Sequence, residues 1–236
     1  MTAAAAAVVG LLTALAPAAA RSVNDGTANS AKHASAGHAP ISASALAFHD
    51  AMRKLWEDHI TWTRNVIISF EVNVPDSSVT LPDLSAALDR LFQNQVDIGN
   101  AIEPYYGPAA GAELTKLLHD HIAIAGEILQ AVKIGDSAAY QDANARWYAN
   151  ARDIALFLSG STVDGVTLDP PVGTFEDWDT MMREHLDRTT DEVLARLNGD
   201  WTGDVAAYDK VHAQALEMAD MLSNGIIANF PAKFRP

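Results

Sequence analysis

Residues 117–161 align with 181–225 without a gap, and this repeat constrains the chain more than any other feature. His121 falls on His185, Gly135 on Gly199, Asp136 on Asp200, Leu158 on Leu222 and Ser159 on Ser223. An earlier stretch fits the same frame in two pieces. Leu55-x3-His59 matches Leu117-x3-His121, and Arg90-x3-Asn94-x2-Asp97-Ile98 matches Arg146-x3-Asn150-x2-Asp153-Ile154. A unit repeated in this way cannot bury its apolar face alone, so the copies must stack on one another. Three copies therefore predict one joint core.

The period inside each copy is helical. With His59 at the centre of a face, Met52, Leu55, Trp56, Trp62, Thr63, Val66 and Phe70 lie within about 60° of it at ~100° per residue. Leu114, Leu117, Leu118, Ile124, Ala125, Ile128 and Val132 surround His121 in the same way. Around His185 the stripe is Trp178, Met181, Met182 and Leu186. Arg188 and Glu192 interrupt it, so this face reads as more polar and open to solvent.

Proline and glycine mark the boundaries. The pattern predicts a helix over 42–72, a loop over 73–82, a second helix from Pro82 to just before Pro104, and a turn over 104–108. A third helix follows over 109–134. Gly135-Asp136 reads as a C-cap followed directly by an N-cap, opening a fourth helix that ends near Leu158. A loop spans 160–173. Thr174-x-x-Asp177 resembles a capping box for a fifth helix, which ends at Asn198-Gly199. Asp200 caps a sixth, running to about Asn229. The expected fold is all-α: a six-helix bundle of three repeated α-hairpins over 42–236. The other arrangement compatible with this pattern is a four-helix core with an added hairpin.

Residues 1–20 stand apart. They carry no charged side chain and end in Ala18-Ala19-Ala20 before Arg21. An apolar run closed by small residues reads as a secretory signal peptide, cleaved near Ala20. The Lys or Arg usual ahead of such a run is missing, which would place the true start upstream. The run is short and broken by Pro17, which argues against a membrane anchor. Residues 21–41 are small, polar and aperiodic, a flexible linker by composition. The expected location is outside the cytoplasm.

The chain has no cysteine. Disulfides, thiolate metal sites and a cysteine nucleophile are excluded. Its net charge is −14, which repels phosphate backbones and anionic lipid. Neither nucleic acid nor a membrane surface is an expected partner; a metal ion or a small polar ligand is. Oligomeric state is not encoded in any pattern found.

The candidate site comes from the polar residues of the repeat. His59, His121 and His185 each sit mid-stripe on the first helix of a hairpin. The second helix carries a row at i, i+4, i+7: Arg90/Asn94/Asp97, Arg146/Asn150/Asp153 and Lys210/Gln214/Glu217. Titratable groups on an apolar face are costly unless paired or liganded. Two outcomes follow. If the imidazoles converge, the three histidines could hold a divalent Zn, Cu, Ni or Fe ion. Asn94, Asp97, Asn150, Asp153, Gln214 and Glu217 would then orient them or contact a ligand. If instead each histidine bonds its own hairpin's acid (His59 with Asp97, His121 with Asp153, His185 with Glu217), the pairs only satisfy a structural core. His119 and His121 point about 200° apart on a helix, so they cannot share an ion.

Signatures of common enzymes are missing. There is no Glu-x-x-His on the relevant helices, no His-Glu-x-x-His, no phosphate-binding glycine loop, no Gly-x-Ser-x-Gly and no calcium loop. No catalytic residue is assigned. The stretches MRKLWEDHITWTR (52–64), NQVDIGNAIEPYYG (94–107), LLHDHIAIAGEIL (117–129), ARWYANARDIALFLS (145–159), MMREHLDRTTDEVLARLNGD (181–200) and YDKVHAQALEMADMLSNGI (208–226) resemble a poorly characterised bacterial family of small all-helical proteins. Its members are sometimes labelled glycosyltransferase or acetylglutamate kinase. The resemblance covers nearly all of 46–234 and implies the helical fold. It supplies no established active-site residues. A nucleotide-sugar transferase usually rests on a large α/β scaffold, and no convincing strand run is present.

Overall fold

The computed structural model of the protein describes residues 42–70 and 80–235. The expected signal peptide and linker, and most of the expected 73–82 loop, lie outside them. The described residues form six α-helices: α1 Ala43–Phe70, α2 Leu84–Tyr106, α3 Pro108–Ile134, α4 Ser137–Leu158, α5 Phe175–Leu197 and α6 Trp201–Asn229. A short 3-10 turn, Pro231–Phe234, follows α6. None of these helices is long and apolar enough to cross a membrane.

Each connection is set by local chemistry. Gly107 alone joins α2 to α3, at φ 84°, a conformation open to glycine and strained for other residues. Pro108 then starts α3 at a position where a missing N–H costs nothing. The turn expected over 104–108 is therefore much tighter. α2 runs through Pro104 to Tyr106, because a proline so close to the C-terminus removes only one backbone bond. Gly135 is left-handed, and Asp136 accepts from the backbone N–H groups of Ala138 and Ala139. Thr174 accepts from the Asp177 N–H and Asp200 from that of Gly203. The expected 160–173 loop carries a small antiparallel ladder, β1 Thr162–Val163 with β2 Val166–Thr167. Two-residue strands are too short for any alternation to show in sequence.

Successive helices pack side by side, and α6 returns to pack on α1. The six helices thus form a closed ring around one core, not four helices with an appended hairpin. Its two ends differ. At one end Phe48, Tyr105, Phe230 and Phe234 cluster, with ring centroids 5.0–5.7 Å apart. The 160–173 loop also plugs this end: Leu168 and Val172 are buried, and the Trp178 indole donates to the Val172 carbonyl. At the other end a second cluster gathers Val66, Ile67, Leu91, Ile122, Leu129 and Val193. These residues line an apolar cavity of about 60 Å³. The three repeat histidines lie at mid-height, between the two ends.

Candidate functional site

The helical stripe carries His59, His121 and His185 into the middle of the ring, where all three are buried. The rings come together. His185 stands 5.9 Å from His59 and 6.1 Å from His121, centroid to centroid. The first helix of each hairpin places the imidazole, and the second helix supplies its partner.

That partner is an amide in every case. The Asn150 side chain donates to the Leu117 carbonyl at 3.0 Å, and its oxygen faces His121 Nδ1 at 3.0 Å. Gln214 does the same in the next hairpin. It donates to the Met181 carbonyl at 2.8 Å and turns its oxygen to His185 Nδ1 at 3.2 Å. A carbonyl can only accept, so each amide nitrogen must face it and each amide oxygen must face the ring. His121 and His185 therefore carry their proton on Nδ1. In neutral rings this leaves Nε2 as a lone pair.

The first hairpin departs from this pattern. Asn94 donates to the Leu55 carbonyl at 2.9 Å, the equivalent bond, but its oxygen accepts from Gln95. Gln95 then meets His59 Nδ1 through its own amide nitrogen at 3.2 Å. Gln95 Oε1 is left buried without a partner. No hydrogen bond among the described residues reaches Nε2 of any of the three histidines.

The rows' acids stand outside this centre. Asp153 and Glu217 are exposed. Asp97 is partly exposed and accepts from Gln93 at 3.0 Å. Asp153 lines a polar surface groove of about 440 Å³ with Lys116, Asp120, Glu127, Arg146 and Asp164, and Asn150 forms part of its wall. Histidines that do bond carboxylates lie elsewhere: His212 with Glu57 at 2.9 Å, and His49 with Asp220 at 3.1 Å.

The electrostatics follow from burial. Desolvation, and then the neighbouring His185, hold His121 down at about 3. Desolvation takes His185 to about 4, against the help of Gln214. His59 is pushed well below its ordinary value by burial, and next by His185 and His121. All three rings are neutral at pH 7, the state a metal ion requires.

A second buried group escaped the sequence reading. Glu192 is fully buried, so the third stripe is not open to solvent there. Arg64 from α1 bonds Glu192 at 2.6 Å and also holds Asp204 of α6 through both guanidinium nitrogens, at 2.9 and 3.1 Å. Arg196 adds a bond to Asp204 at 2.9 Å. Burial raises Glu192 to about 7, although Arg64 opposes it. Burial also pushes Asp204 up, but Arg64 and Arg196 outweigh it and hold the carboxyl below its ordinary range. The available signal was a charge seven residues after His185, on the same helix face.

The site's donor set suits a metal ion only in part: His121 and His185 hold their proton on Nδ1 and leave Nε2 free, whereas Gln95 donates to His59 Nδ1 and so puts that ring's proton on Nε2. Neutral imidazoles with Nδ1 fixed by a hydrogen bond are the usual form of a histidine ligand. The fit in distance is close but incomplete. A tetrahedral ion about 2.0–2.1 Å from each nitrogen sets ring centroids about 5.3 Å apart, and the two pairs that include His185 are each wider than this by less than about 1 Å. As they stand, no group of three or more His, Asp or Glu side chains among the described residues could hold a metal ion. A scan against protein-family models found no match, and searches of curated proteins and of solved structures found none either.

Proposed function

We propose that this protein is an exported helical bundle that binds one divalent transition-metal ion through His59, His121 and His185. The observation that supports this most strongly is the meeting of the three rings, with His185 within 5.9 and 6.1 Å of the other two. Each ring bonds through Nδ1, and no hydrogen bond among the described residues occupies Nε2. Imidazole nitrogens alone suit Zn, Cu, Ni or Fe better than Mg or Ca. The ion, once bound, would supply a Lewis-acid centre at the core. Asn150 and Gln214 would orient two of the ligands, His59 would have to exchange its Gln95 bond to free Nε2, and Asp153 and Glu217 would take no part. The repeated amide-to-carbonyl bonds from Asn94, Asn150 and Gln214 support descent from one hairpin in three copies.

The test is the thermal midpoint with and without zinc. A ligand bound only by the folded state raises stability by about 2.7 kcal/mol at a hundredfold excess over its Kd. Wild type should gain stability, and a His121→Ala variant should not. A second reading, a metal-free structural core, is favoured by the wider spacing of the rings. It predicts no zinc response in either protein.

A further inference from the structure

We infer that the apolar cavity beside Leu129 and Val193 holds the end of a hydrocarbon chain. This goes beyond the metal reading and does not rest on it. Helices α1 to α5 all contribute to the wall, and no charged side chain lines it. Its threonine hydroxyls bond their own helices. Thr63 donates to the His59 carbonyl, Thr189 to that of His185 and Thr190 to that of Leu186, at 2.8–2.9 Å. The Trp147 indole donates to the His121 carbonyl at 3.2 Å. The Tyr140 hydroxyl is the one polar side-chain group of the wall not bonded in this way. A space walled like this stays dry and takes apolar occupants. Gly126 is also part of the wall, and a Cβ there would meet nothing within 4 Å. Glycine inside a helix costs stability relative to alanine, and neither a turn nor a close neighbour requires it here. Its effect is to leave the space open. Gly126 and Leu88 are half-exposed, so the wall reaches the surface.

Size decides between a free small molecule and the end of a longer one. The volume of about 60 Å³ is less than half that of an apolar cavity which holds benzene, about 150 Å³, so it takes roughly two or three carbons. Each buried methylene is worth about fourfold in affinity. Three carbons alone would bind with a Kd weaker than about 10 mM. A tighter ligand must continue outside the cavity and lie on further apolar surface. Such surface is found at the same end of the ring. Leu81 precedes α2, Ile134 ends α3, and Trp201 and Val205 begin α6; all four are exposed. Large apolar side chains exposed together mark ligand or partner surfaces. The net charge of −14 disfavours an anionic headgroup, which points to the tail of an uncharged amphiphile.

The experiment titrates n-octanol and n-propanol into the full chain by calorimetry. Wild type should bind n-octanol tighter than n-propanol by about tenfold or more. Gly126→Leu puts a side chain into the open space. It should keep its helical circular dichroism and weaken n-octanol binding by about tenfold or more. In wild type, NMR should show nuclear Overhauser contacts from the terminal methyl of n-octanol to the Leu129 and Val193 methyls, a readout that needs no variant. No n-octanol binding, or methyl contacts to exposed residues only, overturns the site. Equal affinity for the two alcohols overturns the chain in favour of a free small molecule. Unchanged n-octanol affinity in folded Gly126→Leu overturns the cavity as the place of binding.

Discussion

At the residue scale, the competition between amide and carboxylate decided the site. The sequence shows Asn or Gln and an acid in each polar row, and both could reach a histidine. The amide wins because it sits on the inner side of the row. It can satisfy a backbone carbonyl and a ring nitrogen at once. A carboxylate could not donate to that carbonyl and would have to shed its hydration beside a neutral ring. This yields a contrast. Asn150→Ala strands the His121 N–H and should cost about 1–3 kcal/mol in urea unfolding. Asp153→Ala, on the surface, should stay within about 0.5 kcal/mol. Equal effects would restore the acid as the partner. Gln95 was hidden because it lies one position outside the repeated row.

At the element scale, the helices were legible from period and punctuation, and their closest contact was not. Gly99 and Gly111 bring α2 and α3 together. A Cβ at Gly99 would stand 2.0 Å from Thr115 Oγ1 and 2.5 Å from the Gly111 carbonyl. Gly99→Ala should therefore lose stability by about 1–3 kcal/mol, despite alanine's better helix propensity. Gly126, also inside α3, has nothing within 4 Å of such a Cβ. Gly126→Ala should gain up to about 1 kcal/mol, because only the propensity term remains. Thermal midpoints of the two variants should move in opposite directions. Nothing in the sequence distinguishes these glycines, since the difference lies in the partner helix.

At the scale of the whole molecule, the repeat announced three hairpins, but ring closure depends on α6 meeting α1. Closure places three neutral histidines and one glutamate, whose carboxyl burial holds above its ordinary range, in a single interior, and this sets the pH dependence. His121 and His185 titrate at about 3 and 4 when folded, below their ordinary 6.5. The unfolded chain binds those protons first, so stability is lost as pH falls from 6.5 towards that range. Glu192 has the opposite sign. Its folded value of about 7 lies above the ordinary 4.5, so its contribution is full below 4.5 and lost as pH rises through 7. Between 4.5 and about 7 the two effects oppose one another in the metal-free protein. Glu192→Gln removes the opposing one, so the variant's stability should rise more steeply with pH than that of wild type, as followed by urea midpoints across pH 5–8.

The central claim is that the three copies of the hairpin point at one metal-binding centre. Metal content of the purified chain after zinc loading and removal of excess tests it most directly. The expected result is one zinc per chain in wild type and in Asp153→Ala, and none in His121→Ala. Wild type without stoichiometric zinc, or zinc retained in full by His121→Ala, would contradict it.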